Sequence, residues 1–88
     1  MKQLIIIYAE NIYEIYQLQE WLRNALAKKI RRGVKVDRTH LAECQTMRKI
    51  VREAEKYATR DTGRRATTEE RRAVREEIAD RILDELEF

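Results

Sequence analysis

The chain has 88 residues, enough for one domain with a small core and too few for two. With no Pro, only Gly33 and Gly63, and 40% charged residues, its composition excludes a turn-rich β protein and matches an all-α one. The net charge of +3 conceals an uneven layout: residues 1–22 carry −2, residues 23–75 carry +10 from 17 Lys or Arg against seven acids, and residues 76–88 carry −5.

The opening MKQLIIIYAE is too short for a signal-peptide core and far short of the roughly 20 apolar residues that span a bilayer. No membrane span is therefore expected. Its β-branched run suits a strand over residues 3–9, yet Ile5 and Tyr8 fall in phase with the stripe that follows, which favours a helix extended back to about residue 3. On this reading residues 1–10 form an apolar extension that partner helices do not cover. From Ile12 to Ile30, Ile12, Ile15, Tyr16, Leu22, Leu26 and Ile30 keep to one helical stripe. Asn11 with Glu14 three residues on has the pattern of a capping box. Trp21, Leu18 and Ala25 widen the apolar face, and with Leu4 and Ile7 they make a candidate oligomer interface, since large exposed apolar patches mark contact surfaces.

Basic residues and Gly33 close this first helix, Gly33 at the left-handed position after it. Asp37 is placed as N-cap of a short turn, RTHLAE. Leu41, Cys44, Met47, Ile50, Val51, Ala54 and Ala58 then recur at three- and four-residue steps, giving an amphipathic second helix with a small kink near Cys44. Its opposite face carries Arg48, Lys49, Arg52, Lys56 and Arg60. Asp61-Thr62-Gly63 ends it, and Thr67 with Glu70 reads as a further capping box. The third helix carries Val74, Ile78, Ile82 and Leu86, reinforced by Ala79 and Leu83. Three such helices with short loops predict an antiparallel three-helix bundle with a long N-terminal helix. Acids at the end of the third helix oppose its dipole, so the Lys28, Lys29, Arg31 and Arg32 cluster at the same end of the bundle is expected to balance Asp84, Glu85 and Glu87.

The motifs argue against catalysis. His40 and Cys44 stand four apart, but a closed zinc site needs two further ligands and the chain has no other His or Cys. The same pair lacks the third, orienting group of a nucleophilic site, which leaves Cys44 to the core. Adjacent carboxylates such as Glu69 and Glu70, or Glu76 and Glu77, lie on solvated faces. There is no phosphate-binding Gly-rich loop and no Ser. No cofactor or metal is expected. A lone Cys needs no oxidising compartment, which points to an intracellular setting.

HLAECQTMRKIVREA has the outline of a helix-turn-helix, but its break holds no Gly and is shorter than the usual turn. Non-specific phosphate contact through Arg48, Lys49, Arg52, Lys56, Arg60, Arg64, Arg65, Arg71 and Arg72 is the stronger nucleic-acid reading. The segments NIYEIY, GVKVD, HLAECQTMRKIVREA and ATTEERRAVREEIADRIL, spanning residues 11–88, resemble short proteins of bacteriophages, prophages and mobile elements. That resemblance brings no activity or site residues with it. It implies an accessory protein: a virion component, a nucleic-acid-associated factor or an inhibitor of host defence. The sequence therefore predicts a non-enzymatic binding protein acting through protein contacts, including self-association, with nucleic-acid binding by the basic face as the alternative.

Overall fold

A computed structural model describes residues 1–86, and the regular secondary structure among them is all α-helical. Five helices follow one another: α1 (Lys2–Asn11), α2 (Tyr13–Arg31), α3 (Arg38–Glu43), α4 (Gln45–Thr62) and α5 (Thr68–Leu86). None is long and apolar enough to cross a membrane. The strand considered for residues 3–9 is a helix instead. Two of the three expected helices are each divided in two.

The first division falls at Ile12, whose extended backbone (φ −85°, ψ 117°) separates α1 from α2. Hydrophobic phase explains it. Ile5, Ile6 and Ala9 are buried on α1, while Ile15, Gln19, Leu22 and Leu26 are buried on α2. At 100° per residue an uninterrupted helix would leave these two sets roughly 120° apart, so one extended residue turns both towards the core. The chain ends exposed by the break are satisfied locally. Asn11 Nδ2 donates to the Ile7 carbonyl at 2.7 Å, and the buried Gln19 Nε2 donates to the Ala9 carbonyl at 3.0 Å. Asn11 thus closes α1 and does not cap α2, whose N-cap is Ile12 with no side-chain bond.

The second division is at Cys44 (φ −67°, ψ 158°). Leu41 and Ala42 are buried on α3, and Met47, Ile50, Val51, Ala54 and Ala58 on α4. On a continuous helix these sets would face nearly opposite ways, roughly 170° apart. Cys44 is accordingly a half-buried cap and not a core residue: its Sγ accepts from the Met47 N–H at 3.4 Å. Asp37 caps α3 as expected, Oδ1 accepting from the Thr39 N–H at 2.9 Å.

Residues 2–11 do not project from the fold. α1 packs on α2, α4 and α5, with Ile5 and Ala9 wholly buried. Tyr8 stacks on Tyr57 with ring centres 5.5 Å apart and donates to Asp61 near the end of α4, so α1 runs against α4. It runs along α5, because Lys2 pairs with Glu77 at 2.9 Å and Arg81 pairs with Glu10. Met47, Ile50, Val74 and Ile82 fill the centre at 0% exposure. The capping box at the start of α5 forms as the spacing predicts: Glu70 N–H donates to Thr67 Oγ1 at 3.0 Å, and Thr67 N–H to Glu70 Oε1 at 2.9 Å. At the other end of α5, Arg23 meets Glu85 at 2.7 Å. It takes the role assigned to the Lys28 to Arg32 cluster; Glu87 lies outside the described residues.

Candidate anion-binding groove

α4 and α5 run side by side in opposite directions, and the cleft between them is lined by arginines from three segments. α4 supplies Arg48 and Arg52, the connecting turn Arg65, and α5 Arg71 and Arg75. Val51 and Glu55 complete a concavity of about 230 Å³. Helical spacing places them there. Arg48, Arg52 and Glu55 lie three or four residues apart on one side of α4, and Arg71 and Arg75 are four apart on α5.

Two carboxylates hold part of this charge. Arg71 Nε donates to Glu55 at 2.8 Å (Oε1) and 3.2 Å (Oε2), a bond that raises the Arg71 pKa above its ordinary value. Glu43, just before the Cys44 break, takes Arg48 and also Arg75, whose Nη2 donates to Oε1 at 3.4 Å. Burial pushes the Glu43 pKa up, but Arg75 and Arg48 together outweigh it, and the carboxyl sits below the usual range. Among the described residues, five guanidinium groups against these two carboxylates leave three positive charges in excess. Arg52 and Arg65 are exposed and meet no carboxylate within ion-pair distance among the described residues.

Arg75 is the unusual member. It is 8% exposed, and its Nε is buried with no hydrogen-bond partner. A buried donor left unpaired carries a desolvation cost of about 1–3 kcal/mol, more on a charged group, so native structures keep few of them.

The chain matches no protein-family model, no curated protein and no solved structure.

Of the nine basic residues singled out in the sequence, Arg48, Arg52, Arg65 and Arg71 come together in this groove. The other five do not line it. Lys56 pairs with Glu53 at 3.2 Å, Arg64 with Glu70 at 3.2 Å, and Arg60 lies over the Tyr57 ring at 5.5 Å. Lys49 is on a shallow hollow shared with Leu18 and Tyr57, and Arg72 is exposed outside the groove. Arg75 escaped the sequence reading, although its place beside Val74 and four from Arg71 put it at the edge of the α5 apolar stripe. The expected oligomer patch is only partly exposed. Ile7 and Trp21 are 51% and 62% exposed, whereas Leu4, Leu18 and Ala25 are half-buried. A larger hollow of about 330 Å³ between α2 and the α3 region is floored by Leu22, Leu26, Val36 and Leu41. His40 and Cys44 both border it, and no three His, Cys, Asp or Glu side chains cluster as metal ligands among the described residues.

Proposed function

We propose that this is a non-enzymatic helical binding protein whose arginine groove and adjoining α4 face hold the phosphate backbone of a nucleic acid. One observation carries the reading. A surplus of guanidinium charge converges on a cleft where one arginine donor is buried and unpaired. Planar, forked donors of this kind match phosphates as they do carboxylates, and neutralising backbone phosphates supplies most of non-specific nucleic-acid affinity. Lys49 continues the basic side of α4 beyond the groove, while Lys56 is held by Glu53. A phage or mobile-element setting, in which the sequence resemblance puts the chain, fits a small nucleic-acid-associated factor.

This order of preference reverses the one drawn from sequence, for a physical reason. The apolar surplus that favoured a protein partner was largely Leu4 to Ala9, and α1 buries Ile5, Ile6 and Ala9 internally. What remains is Ile7 and Trp21 with the edges of Leu18 and Ala25, which supports self-association as a second, weaker reading. Sedimentation at tens of micromolar tests it: a Trp21→Ser variant that sediments like the wild type as monomer removes the second reading.

Fluorescence anisotropy with labelled single-stranded and duplex DNA at low salt tests the first. The wild type is expected to bind, Arg52→Ala/Arg65→Ala to lose most of that affinity, and Arg31→Ala/Arg32→Ala to keep it. Equal losses from both double variants, or no binding by the wild type, overturn the assignment.

A further inference from the structure

We infer that the groove between α4 and α5 is a site for one terminal phosphoryl group, a phosphate monoester, an inference that rests on the proposed phosphate-binding role and sharpens it. Shape is the first argument. Its donors come from α4, the α4–α5 turn and α5, and surround a hollow of about 230 Å³. That is a point of convergence and not a track along which successive diesters could lie.

Charge is the second argument. The excess of three positive charges fits a group carrying about −1.5 to −2, as a phosphate monoester does at neutral pH, better than a diester with a single charge. The third is the donor count. A terminal phosphoryl group offers three strong acceptor oxygens. Arg52 and Arg65 have no carboxylate partner among the described residues, and Arg75, itself 8% exposed, gives Nη2 to Glu43 but keeps a buried Nε unpaired. Each of these three residues keeps at least one donor unpaired, whereas Glu55 holds Arg71 and Glu43 is shared by Arg48 and the Arg75 Nη2. Among the described residues no aromatic side chain lines the hollow, so none of them stacks on a base there. The site reads the phosphoryl group itself.

Such a group has two sources, the 5′ end of a strand or a small phosphate ester. The test compares the full-length protein's affinity for one labelled strand bearing a 5′-phosphate or a 5′-hydroxyl, at one salt concentration, with inorganic phosphate as competitor. The expected result is a preference of about tenfold or more for the 5′-phosphate. That preference is lost in Arg65→Ala, an exposed turn residue whose replacement leaves the fold intact, and in Arg75→Met. If Arg75→Met fails to fold, Arg65→Ala and Arg52→Ala decide alone. Equal affinity for both strands overturns the monoester site while leaving the nucleic-acid reading in place. Protection of the protein against thermal unfolding by inorganic phosphate, without binding of either strand, supports the site and overturns the nucleic-acid reading. Failure of inorganic phosphate and both strands to bind overturns both.

Discussion

Replacing Glu55 with Gln separates the two things that this carboxylate does. Glu55 is 9% exposed and its oxygens take Arg71 Nε at 2.8 and 3.2 Å. Gln keeps the shape and one acceptor oxygen but removes the charge. A hydrogen bond to a charged group contributes about 1.5–3 kcal/mol; because the Arg71 side chain is 30% exposed, solvent screening sets the loss near the lower value, about 1.5 kcal/mol. For a domain of this size that lowers Tm by about 6–12 °C. Anion binding moves the other way. Removing one negative charge at about 8 Å from a bound phosphate, at an effective dielectric constant of about 40, favours binding by about 1 kcal/mol, roughly fivefold. Thermal melts and anisotropy titrations on the same preparation read both. A variant that is less stable but binds more tightly is the expected outcome. One that binds no more tightly shows that anions do not sit near Glu55, and one with an unchanged Tm shows that the Arg71 pair contributes nothing to the fold.

Ile50 and Val51 distinguish core from groove on one helix. Ile50→Asp places a carboxylate at 0% exposure among apolar side chains, a cost of about 4 kcal/mol or more against a total stability of about 5–10, and the circular dichroism melt should be lost. Val51→Asp, equally buried but on the groove floor beside Arg48, Arg52, Arg71 and Arg75, should retain a cooperative melt and lose anion binding; the reverse pattern refutes the helix phase. Glu70 supplies a pH prediction. Hydrogen bonds from Arg64 and the Thr67 N–H, the larger effect first, hold its pKa at about 2, below the unfolded value of about 4.3. A depressed carboxylate stabilises the fold above its unfolded pKa and loses that contribution as pH falls, so Tm should drop between about pH 4.5 and 2. Glu70→Gln should flatten this stretch of the Tm profile, and an unaltered slope would contradict the assignment.

The all-helical class and most of the core were legible because they depend on periodicity alone. Met47, Ile50, Val51, Ala54, Ala58, Val74, Ile78 and Ile82 are all buried, and the Asp37 cap and the Thr67–Glu70 box follow from spacing. The breaks at Ile12 and Cys44 were harder to see because each takes a single residue and neither is marked by Gly or Pro. Their signal is a jump in the phase of the apolar stripe. Tolerating Ile5 and Leu41 as loose members of long stripes hid that jump, and with it the burial of α1. Charge showed a similar split. Spacing identified Arg48, Arg52 and Arg71 as exposed cations, but which of them share a cleft depends on how α4 and α5 pack, and Arg75 is visible only once that packing makes it an arginine inside the fold.

The salt dependence of DNA binding tests the central claim most directly. If the groove and the α4 face neutralise phosphates, log Kobs against log salt concentration should fall with a slope of about −0.9 for each phosphate engaged. Arg52→Ala should make the slope shallower. A flat dependence, or a slope that Arg52→Ala and Arg65→Ala leave unchanged, would contradict the account.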